Sequence, residues 1–403
     1  MRTLYACLVS SGVVLVVACC GGKTTGEPPL DAQPSEAADA SVDGGGAGDA
    51  QVQADTGTPL PPTEFATVTA STLPYEDSFP TVTTFRVPFT TMRAGTQVKV
   101  ALWGHLTGMN VREAWLGRYL GSGTVEGNTP LLFSAQKGVS LAPGAVALSD
   151  PLPFVVAHGG RYAVSFAATG TVPSGQDIVS DGVRASGNVA GLPTISGGTR
   201  DVAVYGVKYV AVLGERQRVI AVLGDSIGAG MAAGTTEGRF VGVAQQELAF
   251  PVVDASEGGD GVERAYFRID SDVLALPGIT DCVVEIGIND LHREYPPFVI
   301  DGLTKIFLAL RRAGLRTWGG TIIPNSAPKR TEAWELTRQE VNAFIQSTDL
   351  VDGVVDFAAA LADPADPTKP AAGLMSQDGI HPSTAGHRVM GETLARAVQG
   401  SRP

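Results

Sequence analysis

Cysteine and histidine are scarce in this chain of 403 residues, which has four of the first and five of the second. Four cysteines are too few for a disulfide scaffold in a chain this long. The sequence contains no HExxH, no CxxC and no clustered Asp/His spacing. Metal-dependent hydrolysis is therefore disfavoured, and no cofactor or metal is expected. No block of Lys or Arg occurs, and 29 basic residues face 41 acidic ones for a formal charge of −12. A nucleic-acid partner needs a basic footprint, and this chain has none. The apolar stretch at the N-terminus is too short to span a bilayer comfortably and has no basic flank to stop transfer. Material for a core is ample, with 44% hydrophobic and 17% charged residues, which excludes wholesale disorder. At ~150 residues per domain the length suggests two globular units plus extras.

The extras are N-terminal. Met1-Arg2 leads into Leu4–Val9 and Val13–Val17, which reads as a secretory h-region. It ends in Val16-Val17-Ala18-Cys19, which resembles a bacterial lipoprotein cleavage box. The resemblance implies removal of residues 1–18 and a lipid on Cys19, with that anchor as the membrane attachment. It further implies a cell-envelope, extracytoplasmic location, the outer membrane included. An ordinary signal peptide ending near a cysteine is the plainer alternative. From Gly21 to Thr63 seven acids face one base, Lys23, and large apolar residues are almost missing. Such a segment cannot offset its chain entropy by burial, so residues 19–63 are expected to form a flexible acidic tether. Cys282 lies inside an apolar run, and no internal disulfide is expected.

Residues 64–213 carry short alternating runs such as Val98–Leu102 and Tyr162–Phe166, separated by Gly-, Pro- and Ser-containing turns. They predict an all-β, jelly-roll-like sandwich. Residues 214–403 alternate apolar strands with helical stripes. The strands are expected at Val219–Leu223, Pro251–Val253, Cys282–Ile286, Thr317–Ile323 and Val354–Phe357. Leu303, Ile306, Phe307 and Leu310 repeat at i, i+3, i+4, i+7, and Trp334 to Ile345 and Met390 to Val398 give further stripes. This order predicts an α/β unit with a mainly parallel sheet, and such sheets gather their sites at the carboxyl ends of the strands.

Polar blocks stand at those ends. Gly224-Asp225-Ser226 follows the first strand, Asp254 to Asp260 the second and Gly287-Ile288-Asn289-Asp290 the third. Asp378-Gly379-Ile380-His381 precedes the last helix. A buried strand thus delivers Ser226 to a tight turn near an expected helix N-terminus, a sound place for a nucleophile. In this order the blocks resemble those of the SGNH or GDSL hydrolase family, over Arg218 to about Val398. The resemblance implies a flavodoxin-like three-layer fold and a serine esterase with Ser226 as nucleophile, His381 as general base and Asp378 orienting it. It implies an oxyanion hole from the Ser226 and Gly259 N–H groups and the Asn289 amide. Block two leaves the register open between Gly258 and Gly259, with Asp260 favouring Gly259. Asp225 is expected to hold the turn by hydrogen bonds.

Segments of the β region, Leu141–Ala145, Ser149–Leu152 and Arg161–Ser165, resemble a secreted branch of the family that includes acetylxylan-esterase-like enzymes. Thr321–Pro324 and Asp363–Pro367 in the catalytic half do the same. That branch implies O-acyl, chiefly O-acetyl, esters of a polysaccharide as substrate. One departure is Ser376-Gln377-Asp378-Gly379-Ile380-His381 in place of the branch's commoner Gly-Asp-x-Leu-His, which puts the pocket shape in question. Alternatives are a lysophospholipid or other short acyl ester as substrate, or a non-catalytic glycan-binding lipoprotein. His387 reads as a helix-surface residue whose loss is nearly silent. His292 reads equally as a pocket-entrance or a loop residue, and His105 and His158 show no partner signal. Glu285, interrupting an apolar strand, could be paired at a sheet edge. Trp103, Trp115 and Tyr119 read as packing rather than sugar-stacking residues, and Trp318 and Trp334 as core. The oligomeric state is left open.

Overall fold

Two strand chemistries follow one another along the chain. In the first, apolar and polar residues alternate; in the second, runs such as Ile220-Ala221-Val222-Leu223 are apolar throughout, as strands covered on both faces require. A computed structural model describes Thr63–Gly400, which form one compact unit. The signal peptide, the Cys19 lipid site and all but the last residue of the tether lie outside the described residues.

The alternating half forms two antiparallel sheets. In the five-stranded sheet Thr63–Ala70, Val207–Glu215, Gly95–Trp103 and Val146–Leu148 are neighbours in that order, and Leu152–Val156 also pairs with Gly95–Trp103. In the six-stranded sheet Thr199–Tyr205, Gly160–Ser186, Met109–Gly121 and Thr124–Leu131 follow one another. Tyr75–Thr91 joins it beside Gly160–Ser186, and Val139–Leu141 beside Met109–Gly121. Both sheets supply one apolar core: Val98, Val100, Leu102, Val210 and Val212 from the first, and Phe85, Leu116, Val164 and Phe166 from the second. Phe85 stacks on Phe166 at 5.1 Å between centroids and lies 4.7 Å from Tyr205.

The second half holds a five-stranded, fully parallel sheet. Its order is Val252–Asp254, Ile220–Gly224, Asp281–Glu285, Arg316–Gly320, Gly353–Val355. These are the five expected strands, displaced by one to three residues at their ends. The expected stripes lie on helices Pro296–Arg312, Glu332–Ser347 and Thr384–Gly400, which bury Leu303, Phe307, Val341, Ile345, Met390 and Leu394 against the sheet's core. One expectation fails locally. No helix starts at Ser226: residues 225–232 are a series of turns, and the first helix, Phe240–Leu248, begins well downstream. Gly228 explains the delay, since a Cβ there would sit 2.0 Å from Ser256 Oγ. The chain presses against the neighbouring strand end instead of coiling away from it.

The halves meet along the Thr63–Ala70 and Val207–Glu215 strands. Ala66, Ala70 and Tyr209 pack into the core of the parallel sheet, and the Thr67 N–H and hydroxyl both donate to Pro277 O. Thr72 donates to Ser256 O at 3.0 Å, so the antiparallel half touches the loop that holds the second polar block.

Candidate active site

Ser226 leaves the C-terminal end of the second strand in the sheet order, where parallel sheets collect functional groups. The turn is locked by local bonds. Asp225 Oδ1 accepts the Ile227 N–H at 2.8 Å, Asp225 O the Ala229 N–H at 3.0 Å, and Ser226 O the Met231 N–H at 2.9 Å. Ser226 itself is only 9% exposed.

His381 comes to it from a tight turn 155 residues away. Ser226 Oγ and His381 Nε2 are 2.8 Å apart, and His381 Nδ1 is 2.6 Å from Asp378 Oδ2. The turn forms because Gly379 adopts φ +72°, where a Cβ would lie 2.6 Å from the Ser326 backbone. The Ser326 N–H donates to Gly379 O at 2.8 Å and fastens the turn to the loop after the Arg316–Gly320 strand. Asp378 Oδ1 accepts the Ser376 hydroxyl and the Ile380 and His381 N–H groups. Partial burial alone would raise the Asp378 carboxyl. The bonds from His381, Ile380 and Ser376 overcome it and hold the group far below the usual carboxylate range. An ionised carboxylate at Nδ1 fixes the tautomer that leaves Nε2 free to take a proton.

Gly259 lies at φ +79° and is exposed, with open space on its side-chain face. Among the described residues neither its N–H nor that of Ser226 meets an acceptor. Asn289 stands at the end of the Asp281–Glu285 strand, and its Nδ2 donates to Asp260 O at 2.8 Å and to Asp225 Oδ2 at 3.3 Å. Its neighbour Asp290 accepts the Val262 N–H at 2.9 Å, so the Asn-Asp pair holds the loop bearing Gly259 from two points.

Beneath the turn lie carboxyls with no cation on them among the described residues. Burial, chiefly, and then the nearby Asp260 and Asp290, push Asp225 up to about 7. Burial together with Asp225 and Asp254 drives Glu285 well above its ordinary value, although the Gly228 N–H donates to it. Glu285 is not at a sheet edge: its strand is the central one, and its Oε2 has no partner among the described residues. Asp254, by contrast, pairs with Arg239 at 2.8 Å.

His387 overturns its expectation. It is fully buried, its Nε2 is 2.9 Å from Met231 O, and its ring lies nearly parallel to Phe240. The spacing from Met390 and Leu394 puts it on the buried stripe, which the sequence pattern had assigned to apolar residues alone. His292 is exposed, with Nδ1 2.6 Å from Asn289 O. His105 meets Glu76 at 2.9 Å and His158 meets Ala249 O at 2.8 Å. Trp318 and Tyr119 are buried, and Trp103, Trp115 and Trp334 are partly so. Among the described residues no group of His, Cys, Asp and Glu is arranged to hold a metal. Sequence reasoning missed Arg268, which donates to Asp260, Asp272 and Ala255 O. Its partners lie on other elements, and no motif announces it.

A hydroxyl in contact with a carboxylate-oriented imidazole, beside open N–H donors, defines a serine hydrolase. Residues 222–389 match the model of the GDSL-like lipase/acylhydrolase family, and together with the Ser226–His381 contact the match supports a serine ester hydrolase. No curated protein matches it. Among solved structures it is similar to a G-D-S-L-family protein from Desulfitobacterium hafniense (22% identity over 45% of this chain and 99% of that one, TM-score 0.40). It is also similar to a lipase/acylhydrolase from Enterococcus faecalis (21%, 46% and 96%, TM-score 0.38). A third is Axe2, an acetylxylan esterase from Geobacillus stearothermophilus (20%, 45% and 94%, TM-score 0.37).

Proposed function

We propose that the chain removes O-acyl groups, chiefly O-acetyl, from a carbohydrate through an acyl-enzyme on Ser226. The contact between Ser226 Oγ and His381 Nε2 carries the reading. As the hydroxyl attacks the ester carbonyl its proton passes to Nε2, and the Asp378 carboxylate stabilises the resulting imidazolium. The carbonyl oxygen becomes an oxyanion facing the Ser226 and Gly259 N–H groups and the Asn289 amide. For Asn289 the longer bond, to Asp225, is the one to give up. His381 then protonates the departing alcohol, and water releases the acid by the same steps in reverse roles. The open face of Gly259 favours it over Gly258 as the donor in block two.

The carbohydrate assignment rests on the β-region segments that resemble the acetylxylan-esterase-like branch. We read the two antiparallel sheets, with their shared core, as that branch's jelly-roll-like sandwich. A second substrate class, short acyl esters or lysophospholipid, is favoured by Met231, whose apolar side chain is 43% exposed five residues after Ser226. Ser226→Ala is expected to lower kcat on p-nitrophenyl acetate by about 10⁴-fold or more, and full retained activity would refute the mechanism. Acetate release from acetylated glycans supports the carbohydrate reading, while preference for acyl chains of C8 or longer transfers the site to the second class. The lipid anchor on Cys19 is proposed from the cleavage-box resemblance, and it fails if Cys19→Ser protein still fractionates with membranes.

A further inference from the structure

An ion network crosses from the antiparallel half into the catalytic loops. Lys208, on the Val207–Glu215 strand and only 5% exposed, sends its Nζ to Asp272 Oδ1 at 2.5 Å. Asp272 Oδ2 accepts from Arg268 Nη1 at 2.7 Å. Arg268 is the hub, reaching Asp260 through Nε at 2.7 Å and Nη2 at 2.6 Å. It also reaches Ala255 O at 3.1 Å and, more weakly, Gly224 O at 3.4 Å. Those carbonyls belong to the residues that lead into Ser226 and Gly259. Asp260, next to Gly259, gives its own carbonyl to the Asn289 amide. One guanidinium thus fastens the ends of two adjacent strands and, through Asp260, a third.

The charges explain why a lysine from the other half is needed. Glu257, Asp260 and Asp272 cluster around Arg268, Arg264 and Lys208, three carboxyls against three cations. Arg264 is largely exposed, so its contribution is screened by water, whereas Lys208 and Asp272 are nearly dry. Without Lys208, Asp272 keeps Arg268 as its one buried cation and competes with Asp260 for it. The guanidinium is planar and its donors are already committed, so any shift toward Asp272 loosens the Asp260 side.

We propose that Lys208 is a positioning residue for ester hydrolysis, holding the Gly259–Asn289 oxyanion site in register through Asp272 and Arg268. The inference rests on the oxyanion roles proposed above. It makes the antiparallel half part of the catalytic apparatus rather than an appendage.

The test measures kcat and KM on p-nitrophenyl acetate, per active site counted by fluorophosphonate labelling, in the full chain. Lys208→Met should lower kcat about tenfold with KM within about twofold, since sub-ångström misplacement acts on the transition state more than on the ground state. Lys208→Arg should recover most of the loss. Adding Asp272→Asn to Lys208→Met should cost little more, because the two act through one network. Should Lys208→Met fail to fold, Asp272→Asn alone must reproduce the kcat loss. Wild-type kcat in Lys208→Met overturns the proposal, as does a loss confined to KM or an equal kcat loss in Lys208→Arg. Asn289→Ala separates the two readings. If it keeps full kcat the oxyanion assignment falls; if it is crippled while Lys208→Met is intact, only the positioning role falls.

Discussion

The two halves of the molecule bury charge in opposite ways. In the antiparallel half Arg86 and Arg93 are each about 1% exposed, and both donate chiefly to main-chain carbonyls. Arg86 reaches the carbonyls of Gly123, Ala190, Leu192 and Pro193, plus the Ser165 hydroxyl. Arg93 reaches those of Glu64, Val212 and Gly214. Burial lowers the Arg86 pKa to about 10, which still leaves it charged at neutral pH. The parallel half also buries carboxyls, and two of them, Asp225 and Glu285, sit under the Ser226 turn with no cation against them among the described residues. A buried cation that donates to several carbonyls staples loops together. A buried acid without a counter-charge is kept where its cost is offset by what it does for a site.

That contrast gives a largest and an intermediate expected effect, which pull apart two measurements. On the proposed oxyanion role, Asn289→Ala should lower kcat by about 10² to 10³-fold, with only a small drop in Tm from the lost bonds to Asp260 O and Asp225. Arg86→Met does the reverse. Several carbonyls lose their donor in a closed core, so stability should fall by about 3 kcal/mol, while kcat per labelled active site stays at the wild-type value. Differential scanning calorimetry and steady-state kinetics on both variants decide the matter. If Arg86→Met slows turnover per site, or Asn289→Ala melts as early as Arg86→Met, the two halves do not divide stability from chemistry in this way.

The catalytic half was legible because its signals are local. Ser226, the 254–260 block and Asn289 each follow an apolar run closely, and Asp378 meets His381 within one turn, so spacing places them at strand ends while the family resemblance supplies their expected roles. What was hidden depends on distant partners. Lys208 and Asp272 are 64 residues apart, and nothing near either advertises the other. Glu285 interrupts an apolar run, which a sequence shows, but whether the interruption faces an edge or the centre depends on strand order. The Gly160–Ser186 strand pairs with three others, Tyr75–Thr91, Met109–Gly121 and Thr199–Tyr205, over long separations that no short-range pattern encodes. The missing helix after Ser226 has the same origin, since Gly228 is required by Ser256, a residue of another strand end.

His387 offers the smallest effect and the sharpest check on how the parallel half treats its buried groups. Six residues from His381, it carries no carboxylate partner, its Nδ1 is buried without an acceptor or donor among the described residues, and Nε2 is committed to Met231 O. Burial, with His381 and Arg239 adding to it, pushes its pKa from 6.5 down to about 4. The folded chain therefore keeps this ring neutral where an unfolded chain would protonate it. Its contribution to stability is complete above pH 6.5 and is lost as pH falls through 4. His387→Gln retains a donor for Met231 O but does not titrate. The Tm of the wild type relative to this variant should decline by a few degrees between pH 6.5 and pH 4 and stay constant above that window. A difference that holds steady across the whole range would show that the buried imidazole is not what makes this half of the molecule acid-sensitive.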